Sequence, residues 1–228
     1  MIEPEQGYAY WVGDYIPSAG LSINSYLIVD DYPTLINTGA PITIDTLINK
    51  VESVIKLTNI EYIVLTNADI AYAGGLPRLL EIAPQARVIA SAHEAMRLGL
   101  YGIYIQPLLI QDGDMLNIGK ATLQFYSAPF IGSPGSVFIF DATSGILFSG
   151  EAFSTTVSAW QILTEEDMTE LLQAYFNVNI GDSATARDAI SRLKMLDIKL
   201  LAPGHGPMMR RHIDRYIGTL SGGYAEAA

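Results

Sequence analysis

The sequence contains no cysteine among its 228 residues. This absence excludes disulfide bonds, thiolate metal sites and cysteine nucleophiles, so any bound metal would need oxygen or imidazole ligands. Basic residues are also few, because 13 lysines and arginines stand against 24 aspartates and glutamates, and the formal net charge is −11. A chain of this charge repels a phosphate backbone, and no long basic run offsets the repulsion locally. We therefore expect no nucleic-acid binding.

Long apolar runs are missing as well. No segment approaches the roughly 20 apolar residues that a membrane-spanning helix needs, so we expect a soluble protein that does not associate with a membrane. The acidic N-terminus is not followed by the apolar core of a signal peptide, and a cytoplasmic location is expected. Hydrophobic residues make up 50% of the chain, which is enough for a substantial core. We predict a single domain over residues 1–220, followed by a flexible tail rich in glycine and alanine over residues 221–228.

The distribution of apolar residues predicts an α/β fold. A turn at residues 30–33 between two extended segments predicts a strand hairpin over residues 21–37, and apolar residues at helical spacing predict a helix over residues 44–55. A turn signal at residues 111–114 predicts another hairpin, and Thr164 with the acidic residues after it predicts the capped start of a helix. Further strands are predicted at residues 60–65, 88–90, 115–118, 122–127, 137–141, 146–149 and, as the last one, 198–202, and helices at residues 76–82, 93–98, 164–176 and 183–196. This order of elements fits one compact domain.

Five segments carry a resemblance to a known superfamily. They are residues 24–30, residues 35–39 (Leu-Ile-Asn-Thr-Gly), the loop at residues 66–75, residues 145–153 and residues 203–207 (Pro-Gly-His-Gly-Pro). In order and spacing they resemble the metallo-β-lactamase superfamily over nearly the whole chain, which implies a four-layer αββα sandwich. Tyr-Trp-Val-Gly at residues 10–13, Phe-Ser-Gly-Glu-Ala-Phe at residues 148–153 and the segment at residues 196–205 are most similar to the diiron domain of flavodiiron and related oxygen-binding diiron proteins.

The metal-ligand motif of that family is degenerate in this chain. In the family the loop reads Thr-His-x-His-x-Asp-His-x-Gly-Gly, with Glu for the second His in the flavodiiron branch. The seven positions that match the family ligands are Asn67, Asp69, Ala71, Tyr72, Gly132, Glu151 and His205. Neither Ala71 nor Gly132 has a side chain that can coordinate a metal, and the Tyr72 phenol is too basic to help at neutral pH. The resemblance therefore implies that no complete dinuclear iron or zinc centre remains.

The residues that survive at these positions leave several interpretations open. Asp69, Glu151 and His205 could hold one hard cation such as Mg²⁺ or Ca²⁺, with waters completing its shell. Asp69 and Glu151 could instead form a carboxylate pair for metal-free acid–base chemistry. The simpler alternative is that ordinary hydrogen bonds satisfy both acids, that Glu151 holds the His205 imidazole, and that Tyr72 fills the space left by the metals.

Features outside the motif have plainer interpretations. Gly74 and Gly75 are interpreted as a tight strand-to-helix turn and not as a phosphate site, because no basic residue stands beside them before Arg78. His93 and His212 are expected to be surface or structural histidines. The uncharged segment at residues 98–110 is either a partner surface or part of the core.

These observations favour a non-catalytic sensory, ligand-binding or protein-interaction module. The alternative is a hydrolase or an oxidoreductase-related enzyme with a reduced single-metal or metal-free site at Asp69, Glu151 and His205. The resemblance implies a homodimer and, in the family, reduction of oxygen or nitric oxide with a flavin partner. Because the chain ends soon after His205, we expect no FMN and no other cofactor. One weakly bound metal ion is the alternative. A protein partner or a signalling domain is the expected kind of interaction.

Overall fold

The computed structural model describes residues 9–180 and 184–222. The strands in this part of the chain are β1 (Ala9–Trp11), β2 (Asp14–Ile16), β3 (Leu21–Ile23), β4 (Tyr26–Ile28), β5 (Thr34–Ile36), β6 (Tyr62–Val64), β7 (Arg87–Ser91), β8 (Leu108–Ile110), β9 (Met115–Asn117), β10 (Thr122–Ser127), β11 (Val137–Asp141), β12 (Ile146–Gly150), β13 (Leu163–Thr164), β14 (Leu200–Pro203) and β15 (Met208–Met209). The α-helices are α1 (Ile44–Glu52), α2 (Ile70–Ala73), α3 (Leu76–Ile82), α4 (Ala92–Leu100), α5 (Thr169–Asn179), α6 (Ala184–Arg192) and α7 (Ile213–Leu220). Short 3-10 helices occur at Pro17–Ala19, Leu57–Asn59 and Leu193–Met195.

The strands form two large sheets and one small ribbon. The first sheet has the order β1-β4-β5-β6-β7-β8, and from β5 to β8 its strands are parallel. The second sheet has the order β13-β15-β14-β12-β11-β10-β9 and is largely antiparallel, but the β12–β14 and β13–β15 pairs are parallel. The ribbon pairs β2 with β3. None of the helices in the described ranges is long and apolar enough to cross a membrane.

Alternating side chains divide the core into three parts. Ile28 and Ile36 of the first sheet pack against Phe125, Ile139 and Phe148 of the second. The neighbouring positions point the opposite way, because successive side chains of a strand face opposite sides of a sheet. On the outer side of the first sheet, the side chains of strands β4 to β7 pack with α1 and α3; on the outer side of the second, those of β11 and β12 pack with α5, α6 and α7. The four layers are therefore helix, sheet, sheet and helix, as the resemblance implies.

Local patterns predicted some connections correctly and others wrongly. The hairpin around residues 30–33 is confirmed for β4 and β5, which pair antiparallel with Ile28 opposite Thr34. Residues 21–23 of the predicted hairpin instead form β3, which pairs with β2. The second hairpin prediction is wrong: β8 belongs to the first sheet and β9 to the second, so the turn at residues 111–114 joins two sheets. A turn signal predicts that the chain reverses, but it does not predict which strand pairs with the strand that follows the turn.

The C-terminal third also departs from the predictions. Thr164 is not a helix cap; it lies in β13, and α5 begins five residues later, where Asp167 accepts the backbone N–H of Thr169 at 2.9 Å. The last strand is not the predicted one, because β15 and then α7 follow β14. The start of the predicted helix at residue 183 and the tail beyond residue 222 lie outside the described residues.

Candidate functional site

The positions that match the family ligands lie in the connections that follow strands β6, β10, β12 and β14, with Ala71 and Tyr72 in α2. Asn67, Asp69 and Tyr72 follow β6, and Gly132 lies between β10 and β11. Glu151 immediately follows β12, and His205 follows β14 by two residues. Because β6, β12 and β14 deliver their loops to one end of the sandwich, residues far apart in sequence meet there.

Two tyrosines hold Glu151 at the centre of this region. The Tyr72 hydroxyl donates a hydrogen bond to Glu151 Oε2 at 2.5 Å, and the hydroxyl of Tyr175, from α5, donates one to Glu151 Oε1. His205 lies beside them, with its Nε2 atom 3.8 Å from Glu151 Oε2 and its ring 5.4 Å from the ring of Tyr72, centroid to centroid. We call Tyr72, Tyr175, Glu151 and His205 the tyrosine–glutamate cluster. Both carboxylate oxygens of Glu151 thus accept a charge-assisted hydrogen bond.

The orientation of His205 is set from the first sheet and the ribbon. Its Nδ1 atom lies 2.6 Å from the carbonyl oxygen of Ser22, so Nδ1 carries the proton and Nε2 faces Glu151. The backbone around it is held by Asn24, whose side-chain amide donates to the carbonyl oxygens of Pro203 and Gly206, both at 2.9 Å. The Asn24 carbonyl oxygen in turn accepts the indole N–H of Trp11 at 2.9 Å. We call residues 203–207 the histidine loop; hydrogen bonds with Ser22 and Asn24 hold it.

Tyr72 is fully buried, with 0% of its surface exposed. A β-carbon placed on Gly204 would lie 2.1 Å from the Tyr72 hydroxyl oxygen, so the phenol packs directly on the backbone of the histidine loop. Any residue larger than glycine at position 204 would therefore clash with the tyrosine ring. Tyr72 is a packing residue as well as a hydrogen-bond donor.

The side-chain hydrogen bonds of Asn67 and Asp69 are local. The Asn67 side-chain carbonyl accepts the backbone N–H of Asp69 at 2.8 Å, and its buried amide nitrogen has no hydrogen-bond partner among the described residues. Asp69 is exposed and caps α2 by accepting the N–H of Ala71 at 3.0 Å. At Gly132 a β-carbon would lie only 3.1 Å from the β-carbon of Glu151, so there is little space for a ligand side chain.

This arrangement does not fit a dinuclear iron or zinc centre. Two positions lack a donor atom, the tyrosines occupy both oxygens of Glu151, and Asp69 serves as a helix cap. Among the described residues no group of three or more His, Asp or Glu side chains is placed to hold a metal ion. The structure brings Glu151, His205 and Tyr72 together but leaves Asp69 at the surface of the region.

Glu94 is a buried acid beside the site that the sequence analysis did not single out. It is 0% exposed and accepts hydrogen bonds from the backbone N–H of Ala68 at 2.6 Å and from the Ser133 hydroxyl. Arg97 donates to the same carboxylate at 3.1 Å, and His93 Nδ1 lies 3.1 Å from it. Glu94 therefore ties the loop after β6 to the loop between β10 and β11. Its sequence signal is the Ser-x-x-Glu pattern starting at residue 91, which at a helix start predicts only a capping box.

Tyr175 is another residue of the site that the sequence motifs do not predict. It lies on α5, outside every loop of the family motif, between the buried residues Leu172 and Phe176. An aromatic residue on an amphipathic helix predicts core packing, and nothing local predicts that its hydroxyl reaches a carboxylate.

The features outside the motif lie mostly at the surface. His93 contacts Glu94, and His212 is exposed at the start of α7. A β-carbon on Gly75 would lie 2.3 Å from the carbonyl oxygen of Thr38, so this glycine permits close packing. In the uncharged segment Leu98 is buried, but the large residues that follow it include several that are exposed, among them Leu100, Tyr101, Tyr104 and Leu109.

The cluster predicts a loss of stability at high pH. Burial, and next the charge of Glu151, raise the pKa of Tyr72 well above its ordinary value, so the folded state favours the neutral phenol. The contribution of Tyr72 is fully present below the unfolded pKa of about 10 and falls above it by about 1.4 kcal/mol per pH unit. We expect the free energy of unfolding of Tyr72→Phe to depend less on pH above this point than that of the parent protein, in urea titrations at a series of alkaline pH values. Tyr104→Phe, a change at an 86% exposed residue, is the control and should leave the slope unchanged.

The four layers and the loops at their end define a metallo-β-lactamase-type domain. The chain belongs to the ODP family beta lactamase group, whose family model matches residues 21–206. The chain is similar to the nitric oxide reductase of Moorella thermoacetica, at 24% identity over 229 residues, which covers 91% of this chain and 57% of that protein. The chain spans 35% to 57% of the length of the curated relatives it matches.

Solved structures with this fold include flavodiiron proteins. The flavodiiron protein of Giardia intestinalis is 25% identical with a TM-score of 0.85, covering 96% of this chain and 59% of that chain. The rubredoxin oxygen:oxidoreductase of Desulfovibrio gigas, at 20% identity and a TM-score of 0.87, covers 94% of this chain and 59% of that chain and shows the shared fold. The resemblance seen in the sequence motifs is therefore confirmed.

Proposed function

We propose that this chain is a non-catalytic binding module derived from the diiron domain, a pseudoenzyme in which tyrosine hydroxyls take the place of the metals. The observation that carries the proposal is the pair of hydrogen bonds from Tyr72 and Tyr175, which occupy both oxygens of Glu151. A carboxylate at position 151 that held metal ions would use those oxygens, and here a neutral donor already hydrogen-bonds to each of them.

The pattern of substitutions supports the same proposal. Ala71 and Gly132 offer no donor, while Tyr72 adds a hydrogen bond that a metal-binding residue would not make. The loops nevertheless keep their positions through Glu94 and Asn24, which do not depend on a metal. Loops that are held by such protein contacts suit a role in binding or sensing.

Elemental analysis of the purified protein tests the proposal. We expect neither iron nor zinc in stoichiometric amount after expression in metal-supplemented medium, and no change in the thermal midpoint when a chelator is added. The matched control is the triple variant Asn67→His/Ala71→Asp/Tyr72→His, which restores three donors of the family motif and should retain more metal than the parent chain. Two equivalents of iron or zinc in the parent protein, removed by the chelator with loss of stability, would overturn the proposal.

Elemental analysis also distinguishes the proposed binding module from the alternative, an enzyme with a single-metal site. One equivalent of Mg²⁺ or Ca²⁺ that is lost in both Glu151→Gln and Asp69→Asn would instead support a reduced single-metal site built on those two acids and His205. The exposed position of Asp69 and its role as a helix cap argue against this outcome.

The proposal also includes assembly and location. We propose a homodimer in the cytoplasm that interacts with a protein partner or a signalling domain. The exposed apolar side chains Leu100, Tyr104 and Leu109 support a contact surface, because they form part of a segment without charge on a chain of net charge −11. Light scattering of the purified protein measures the assembly directly.

A further inference from the structure

A cleft lies beside the histidine loop and is separate from the tyrosine–glutamate cluster. Its volume is about 370 Å³, within the usual range for small-molecule sites. The loop at residues 156–161 forms one side, and Glu166, Met168 and Leu171 around the start of α5 form another. Pro207, two residues after His205, also borders it. The cleft is therefore next to the old centre but is lined by none of the residues that match the metal ligands.

The aromatic side of the cleft is held in place by its neighbours. The indole of Trp160 stacks on the ring of Tyr15 with centroids 5.0 Å apart and an angle of 9° between the planes. The Tyr15 hydroxyl donates to the carbonyl oxygen of Val157 at 3.1 Å, and the Val157 N–H donates to the carbonyl oxygen of Gly20 at 3.1 Å. The indole that borders the cleft is thus fixed before any ligand arrives, which lowers the entropy cost of binding.

The charge in the cleft has one sign. Glu166 is the only ionisable residue among the described residues that line it. Both of its neighbours are paired: Glu165 lies 2.9 Å from Arg211, and Asp167 lies 2.6 Å from Arg215. No such ion pair occurs for Glu166 within residues 9–180 and 184–222.

An anion is a poor fit for the same cleft. The start of α5 could attract one, but the carboxylate of Asp167 already accepts the backbone N–H of Thr169 at 2.9 Å and also its hydroxyl. An anion would in addition have to enter beside the unpaired Glu166 on a chain of net charge −11.

From these observations we infer that the cleft binds a small organic cation, an ammonium group carried on a compact apolar body. Glu166 supplies the opposite charge, and the Trp160 indole supplies the ring that attracts cations most strongly. Met168 and Leu171 offer apolar contacts to the body of the ligand. This inference does not depend on the metal content of the tyrosine–glutamate cluster.

Choline and its neutral isostere 3,3-dimethyl-1-butanol provide the test, because the two differ in charge and hardly in shape. We expect calorimetry and tryptophan fluorescence to show saturable choline binding, with a dissociation constant on the order of 1 mM, and at least roughly tenfold weaker binding of the alcohol. Glu166→Gln and Trp160→Leu should each weaken choline binding roughly tenfold. Glu165→Gln removes one negative charge from the residue next to Glu166, and Glu165 is paired with Arg211. This variant should leave choline binding unchanged.

Several results would overturn the inference. These are equal affinity for choline and the alcohol, no binding of either, or an effect of Glu165→Gln as large as that of Glu166→Gln. Thermal melts of each variant establish that it is folded, and since Glu166 is exposed, its substitution should not alter the fold. If the protein is free of metal but does not bind choline, only the cation site is refuted. If the protein binds choline but carries two metal ions, only the proposed function is refuted.

Discussion

Tyr72→Ala is expected to lower the free energy of unfolding by roughly 3–5 kcal/mol, the usual cost of removing a large aromatic side chain from a core. The ring is completely buried and packs on the backbone at Gly204, so its removal leaves a cavity. The substitution also deprives Glu151 of one of its two hydroxyl donors. Equilibrium unfolding in urea measures the effect.

Tyr72→Phe separates the two contributions. It keeps the ring and removes only the hydroxyl, and we expect a loss of roughly 1.5–3 kcal/mol, as for a hydrogen bond to a charged group. Tyr104→Ala, at an 86% exposed position, is the control for the loss of a tyrosine and should change stability by less than about 0.5 kcal/mol. If Tyr72→Ala were as mild as this control, the tyrosine would not be holding the region together.

Glu94→Ala is the other substitution with a large expected effect. It removes the acceptor of the Ala68 N–H and of the Ser133 hydroxyl inside the protein, and Arg97 loses the carboxylate that it pairs with. We expect a loss of roughly 2–5 kcal/mol, because buried donors without acceptors are costly. Hydrogen exchange should accelerate first at the Ala68 amide, because its N–H loses the Glu94 carboxylate as acceptor.

A conservative variant and a surface control make this result specific. Glu94→Gln keeps the shape and one acceptor oxygen, so it should be less destabilising than Glu94→Ala. Glu81→Ala removes an exposed acid whose ion pair with Arg78 spans one turn of α3, and it should cost less than about 1 kcal/mol. Equal effects at positions 81 and 94 would contradict the role given to Glu94.

Elements with a strong local signal were predicted well. The β4–β5 hairpin follows from apolar strands on either side of a tight turn, and α1 follows from apolar residues at helical spacing. Its apolar pattern runs on to Ile55, beyond the end of the helix at Glu52, because the following turn packs against the same core. In these elements the residues that favour the local secondary structure are also the residues that pack in the core.

Elements that depend on distant partners were predicted poorly. Thr164 has the surroundings of a helix cap, yet it joins Met209 in a parallel pair of short strands. The turn at residues 111–114 separates two sheets whose strands find their partners elsewhere in the chain. Both predictions were wrong because the pairing of strands in a sheet depends on the packing of the whole domain and not on local sequence alone.

The sequence by itself determined the family and the loss of ligand donors. A methyl group at Ala71 and a hydrogen at Gly132 cannot coordinate a metal in any conformation, so no knowledge of the fold was needed to exclude them. The tertiary structure alone decided which side chains meet at Glu151. Tyr72 and Tyr175 lie 79 and 24 positions from Glu151, and only the stacking of α5 and the loops over the second sheet brings their hydroxyls to its two oxygens. Chemical identity is a local property of the sequence, whereas distance between remote side chains is a property of the packed chain.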